Sequence, residues 1–173
     1  EALIKGVFQV VSMATTTGFA TADFNSWPLF LPYVLLYAAI IGACAGSTGG
    51  GMKVIRILLI FKQGFREVQR LIHPRAVIPI KLGGQRVSDR IVESVWGFFA
   101  VYVMVFLIML LALLATGLDI VTAFSAVGAC INNLGPGLAE VAVTYGQLPA
   151  AAKWILCFAM LLGRLEIFTL LVL

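Results

Sequence analysis

The chain has 173 residues, of which 61% are hydrophobic and 12% charged, and its mean hydropathy is +1.05. Soluble domains run at about 45–50% apolar and about 25% charged, so this composition excludes an ordinary cytosolic fold and most nucleic-acid binders; it is that of a membrane protein. The net charge of +4 is concentrated, because nine of the twelve Lys and Arg lie between Lys53 and Arg90.

Crossing about 30 Å of hydrocarbon takes about 20 apolar residues in a helix. The first apolar segment, residues 2–16, is too short to span and is predicted to enter the membrane and turn back. Residues 27–61 are long enough, but GACAGSTGGGMK interrupts them. The stretch from Lys53 to Arg90 follows with nearly all the basic charge, and the positive-inside rule puts it in the cytoplasm. His73-Pro74, Pro79 and Gly83-Gly84 within it predict turns and short amphipathic pieces rather than one long helix. Residues 94–117 form the cleanest spanning helix, with Trp96, Phe98, Phe99 and Tyr102 near one end, where aromatic side chains favour the interface. Residues 119–131 are again too short. Residues 154–173 read as a spanning helix carrying Arg164 and Glu166. The connections near Asp119, Asp23 and Thr144 lack Lys and Arg and are placed outside.

This reading divides the chain into residues 1–61 (half-helix, turn and broken helix), the basic linker 62–92, and residues 93–173 (spanning helix, half-helix, turn and last helix). The fold class is an all-α membrane protein. No leader with a cleavage site precedes the first segment, and the chain stops inside an apolar run, as a piece of a larger protein would. Cys44, Cys130 and Cys157 have neither CxxC nor Cys/His spacing, so they read as buried small hydrophobes rather than as disulfide or zinc ligands.

A shift of 117 residues lays Gly18 on Gly135, Pro32 on Pro149 and Gly46 on Gly163 without a gap. Each copy runs half-helix, polar turn, loop and long helix, the plan of an internal repeat of the kind membrane transporters use. The turns are TTTGFAT, from Thr15, and NNLGPG, from Asn132. Irregular backbone at membrane depth is tolerated only where protein encloses it or a wet cavity receives it. Both turns free carbonyls that could replace a cation's hydration shell, and both half-helices aim their negative carboxyl ends at them. The plainer alternative is a pair of re-entrant turns capped by Thr and Asn side chains.

ATTTGF, INNLGPG, GACAGSTGGGMK and GRLEIF together resemble the third and fourth repeats of the TrkH family, in the Trk/Ktr/HKT superfamily, over essentially the whole chain. The resemblance implies tandem helix, re-entrant pore loop and helix units arranged pseudo-fourfold around one pore, like a potassium channel made from one chain, with about one and a half to two units here. By that resemblance the carbonyls around Thr16, Thr17, Gly18 and Phe19, and around Asn132, Asn133, Leu134 and Gly135, line a potassium selectivity filter. The family's filter glycine would be Gly18 and Gly135.

Gly46, Ser47, Thr48, Gly49, Gly50 and Gly51 also invite reading as a phosphate loop. That reading fails because Met52 separates the last glycine from Lys53 and Val54 follows it, where Lys and then Ser or Thr are required. Three successive glycines instead break the helix, each at about 1 kcal/mol. The resemblance makes this segment an intramembrane gate beneath the filter; a static packing break is the alternative. Arg164 lies half-way along its helix, where a charge is costly. The family reading places it at the inner mouth of the filter, against the alternative of an ion pair with a carboxylate on a neighbouring helix. Glu166 faces elsewhere, and Lys153 reads as a snorkelling residue.

The function implied is potassium uptake in the bacterial inner membrane by a multi-pass protein. It requires no catalytic residue and no resident cofactor, potassium being the transported ion. A membrane potential worth about 2.3 kcal/mol per charge per 100 mV would favour inward movement. Besides lipid, the implied partners are a second copy of the full-length protein and a TrkA-like nucleotide-binding cytosolic subunit, docking near Arg66, Arg70, His73 and Arg75; no nucleic acid is expected. The rival reading is a non-conducting membrane scaffold whose basic linker recruits a soluble partner.

Overall fold

The computed structural model describes residues 1–28, 30–44, 46, 47 and 49–164. Among them the chain forms α1 Ala2–Ala14, α2 Leu31–Ile41, α3 Val54–Ile72, α4 Asp89–Leu114, α5 Ile120–Ile131 and α6 Ala150–Arg164, with 3-10 turns at Phe24–Ser26 and Ala139–Val141. A two-stranded antiparallel hairpin, β1 Lys81–Leu82 and β2 Gln85–Arg86, sits between α3 and α4.

With 26 residues, α4 is the one described helix long and apolar enough to cross a membrane; at 1.5 Å per residue it reaches about 39 Å. It begins upstream of the predicted start at residue 94, because Asp89 in its first turn suits the positive helix end. By the same rise, α1 and α5, of 13 and 12 residues, reach only about 20 Å. They are the half-helices predicted from their length.

The interruption after α2 is a real end. Ile41 is the last helical residue, Gly42 turns away at φ +75°, and α3 does not begin until Val54. The basic linker is broken into pieces as expected: α3 runs through its first third to Ile72 and stops. His73, at φ −127° and ψ +79°, ends it, as the residue before a proline is disfavoured in helical backbone. Gly83 and Gly84, at φ +55° and +85°, make the two-residue turn of the hairpin. Leu59, Ile80, Val92 and Val95 form a small core that fastens α3 and the hairpin to α4.

The largest core packs α4, α5 and α6 through residues such as Tyr102, Leu113, Val127 and Leu156. A second core joins the two copies of the repeat, since Met13, Leu35 and Leu36 of the first meet Ala129 and Leu134 of the second. Phe98 and Tyr102, predicted at the membrane interface, are therefore buried, while Trp96 remains 39% exposed. Of the cysteines only Cys130 is buried; Cys44 and Cys157 are exposed, contrary to the sequence reading.

Candidate functional site

The two turns have the same backbone in the 117-residue register. Thr15 and Asn132 end their half-helices at φ −87°, ψ −1° and φ −94°, ψ +2°. Thr16 and Asn133 then take left-handed φ of +55° and +52°, and Gly18 and Gly135 follow at +79° and +104°. Left-handed backbone is uncommon outside glycine, so its recurrence at one register position is a built feature. The hydrogen bonds recur too: Thr16 N to Met13 O and Asn133 N to Cys130 O, both 3.0 Å, then Thr17 N to Ser12 O at 2.9 Å and Leu134 N to Ala129 O at 2.8 Å.

The turns lie against each other. A Cβ built on Gly18 would overlap the carbonyl oxygen of Leu134, so only glycine permits the approach. Among the described residues no hydrogen bond occupies the carbonyls of Thr16, Thr17, Gly18, Asn133 or Leu134. Two other carbonyls predicted to face an ion have hydroxyl partners. Phe19 O accepts from Ser12 Oγ at 2.6 Å, and Gly135 O accepts from Tyr145 Oη at 2.6 Å. The carbonyl of Asn132 lies against Gly50, where a Cβ would overlap it.

Side chains fix the second turn from several directions. The Asn132 amide donates to Gly128 O at 2.7 Å and accepts from Tyr102 Oη at 3.0 Å, all buried. The Asn133 amide, oriented to satisfy both neighbours, donates to Met160 O at 3.3 Å and accepts from Arg164 N at 3.1 Å, tying the turn to α6. Leu134 is buried in the shared core, and Ser125 Oγ accepts from Leu138 N at 2.9 Å. The first turn is held from its own half-helix: besides the Ser12 bond, Gln9 Nε2 donates to Ala22 O at 2.8 Å.

The glycine-rich loop docks beneath both turns. Gly50 N donates to Thr16 Oγ1 at 2.8 Å. A Cβ on Gly49 would lie 3.2 Å from Thr15 O, while Gly50 meets Asn132 O, so the loop touches the last carbonyl of each half-helix. Lys53 is buried, at 8% exposure. Its ammonium donates to Ser47 O at 2.7 Å and to Gly49 O, onto the loop's own carbonyls rather than outward as a phosphate loop would require. Of the predicted gate residues, Gly46, Ser47, Gly49, Gly50 and Gly51 are in this loop; Thr48 lies outside the described residues, as does Glu166. The register partners Gly46 and Gly163 differ in surroundings, for Gly46 has open space and Gly163 abuts the Ile131 carbonyl.

A cavity of about 300 Å³ lies between the loop and the second turn, lined by Gly50, Lys53, Tyr102, Ile131, Asn133 and Arg164 among others. Arg164 lines it together with the loop and the turn. Arg56, on its rim, stacks 4.3 Å from the Phe98 ring centroid. Lys153 donates to Gly146 O at 2.8 Å, away from the turns.

Sequence reasoning missed Lys53, Ser12, Tyr102 and Tyr145. Tyr102 carried a signal, because a tyrosine hydroxyl well inside an apolar helix needs a partner. Lys53, the one charge between GGGM and VI, carried another.

Short helices that end on carbonyl-bearing turns, beside one long apolar span, are the arrangement of a helical membrane protein. The family model described as TrkH, cation transport protein, matches residues 1–173, and the chain belongs to that family. It is 61% identical over 173 residues to the Trk system potassium uptake protein TrkH of Halomonas elongata, covering 100% of this chain and 36% of that protein. Against the protein of the same name from Escherichia coli K12 it is 61% identical over 169 residues, covering 98% and 35%. The crystal structure of the potassium transporter TrkH from Vibrio parahaemolyticus matches with a TM-score of 0.90 at 59% identity, over 97% of this chain and 36% of that one. The chain thus spans about a third of the length of the relatives it matches.

Proposed function

We propose that this chain supplies two walls of a potassium uptake pathway, in which a cation exchanges its water for carbonyls of Thr16, Thr17 and Gly18 and of Asn133 and Leu134. The observation that carries the reading is the recurrence of one turn, with the same left-handed residues and the same hydrogen bonds, at a fixed register. Carbonyls aimed by two half-helix carboxyl ends favour a cation electrostatically. Relatives named for potassium uptake by the Trk system support potassium as that cation. The loop of residues 46–51 is the gate below the turns, with Arg164 beside it at the inner mouth.

The full-length protein is a multi-pass, homodimeric protein of the bacterial inner membrane, carrying potassium without a resident cofactor. A TrkA-like nucleotide-binding subunit docks on the cytoplasmic linker. Within that linker Arg66 is committed elsewhere, as its guanidinium, 8% exposed, pairs with Asp89 at 2.7 Å. Arg70, His73 and Arg75, all exposed, are the docking contacts.

The test is potassium and sodium flux through the full-length protein in proteoliposomes. Gly18→Ser and Gly135→Ser should each reduce potassium uptake and potassium preference over sodium. If both variants fold and transport with native rate and preference, the turns are not the filter; a native full-length protein that carries no potassium flux would instead favour the scaffold reading.

A further inference from the structure

We propose that Lys53 is the latch of the glycine-rich loop: its buried ammonium, held by the carbonyls of Ser47 and Gly49, keeps Gly50 docked beneath both turns and the pathway shut. The inference rests on reading the loop as the gate.

Three observations converge on it. Lys53 has a left-handed backbone, φ +69° and ψ +130°, just before α3, and a lysine takes that conformation only where its surroundings hold it there. Its side chain is buried although a lysine ammonium is strongly hydrated, and the loop carbonyls replace that water. Those carbonyls lie just before Gly50, whose N–H reaches Thr16 and whose Cα lies against Asn132 O.

The glycines cannot close the loop by themselves. Glycine backbone has the largest conformational freedom to lose on ordering, and Gly49, Gly50 and Gly51 carry no side chain to pack. The described contacts of this segment to the turns are the Gly50 hydrogen bond and close backbone packing. Lys53 adds two charge-assisted bonds from a fixed point at the start of a 19-residue helix. The ammonium also stands in for a cation at a carbonyl pair beneath the turns. A movement of α3 would withdraw it, freeing the carbonyls and the loop together, so displacement of this helix is the natural opening stroke.

The experiment measures basal potassium flux through the full-length protein in proteoliposomes without any regulatory subunit. Lys53→Met, which keeps the aliphatic stem and removes the ammonium, should raise basal flux by about tenfold, the shift expected when charge-assisted bonds favouring one of two states are lost. Lys53→Arg, which keeps charge and donors, should restore most of the closure. A Ser47→Cys variant, with native cysteines replaced, should react with a water-soluble maleimide several-fold faster when combined with Lys53→Met than when Lys53 is retained.

Folded Lys53→Met protein with unchanged or reduced flux and unchanged labelling overturns the latch. A variant with Gly49–Gly51 shortened separates the two readings. If it raises flux while Lys53→Met does not, the gate stands and the latch fails; if neither raises flux, the gate reading itself fails. Should Lys53→Met not accumulate, Lys53→Gln carries the same test, and failure of both to accumulate while Lys53→Arg folds assigns Lys53 to stability instead.

Discussion

The first turn, residues 15–19, and the second, residues 132–136, follow the same backbone path, yet the side chains holding them do not correspond. Ser12 and Gln9 secure the first turn from within α1; their register partners are Ala129 and Ala126, which can do neither. Tyr145 secures the second, and its partner in the first copy is Pro28. The surroundings explain the exchange. Within this chain nine of twelve residues of α5 are buried among α2, α4 and α6, and three of thirteen in α1 are, so here the second turn is held by neighbouring elements and the first by its own half-helix. The shape of the turn therefore resides in its left-handed positions and its glycine, and the supports are local solutions.

Substituting the two glycines tests that division where the effect is largest. At Gly18 a side chain would strike the Leu134 backbone, which cannot give way as a flexible side chain would. With the strain of φ +79° added, Gly18→Ser should cost about 4 kcal/mol and abolish uptake. Gly135 has open space around it, so Gly135→Ser should cost only the strain, about 1–2 kcal/mol, and leave measurable uptake with weakened potassium preference. Thermal unfolding of the detergent-solubilised proteins and flux assays check both. Equal effects at the two sites would show that the turns are interchangeable and that their contact does not matter.

The half-helix ends sharpen the contrast at a smaller scale. Asn132 is buried, with its amide bonded to Gly128 and Tyr102; Thr15, at the same register position, is exposed and bonds within its own turn. Asn132→Leu strands the Tyr102 hydroxyl and the Gly128 carbonyl, costing about 3 kcal/mol, while Thr15→Val should stay below about 1 kcal/mol. The expected order of melting temperatures is native, Thr15→Val, then Asn132→Leu well below.

What is legible in the sequence follows from quantities the sequence carries locally. Half-helices of 13 and 12 residues fall short of the hydrocarbon thickness, and three glycines cannot continue a helix, so α1, α5 and the break after α2 can be located from the sequence. The repeat register is legible because Gly18 and Gly135 stand where the chain must turn left-handed. Partnerships across distance are not. Nothing near Arg66 announces Asp89, 23 positions on, and counting Arg66 as linker charge hides that α3 turns a basic residue inward. The strands of the hairpin are two residues long, too short for an alternating pattern to register. Aromatic preference assigns Tyr102 to the interface, but its hydroxyl is committed to Asn132, 30 residues away. Spacing reads Lys53 as part of a failed phosphate motif and cannot reveal that its ammonium folds back on the loop.

The smallest effects fall on the tethers themselves, and they separate shape from support most directly. Tyr145→Phe removes only the hydroxyl that holds Gly135 O, and Ser12→Ala only the one that holds Phe19 O. Each loses a single hydrogen bond worth about 1 kcal/mol, so both proteins should fold and transport. A released carbonyl can rotate, and selectivity is sensitive to where carbonyl dipoles point. Potassium preference over sodium should therefore fall by about fivefold in each variant, the equivalent of that one bond. Because the tethers act on turns in contact, the double variant should lose more than the product of the single losses. A strictly multiplicative double variant would mean that the two turns select independently, and that the approach of Gly18 to Leu134 carries no coupling between them.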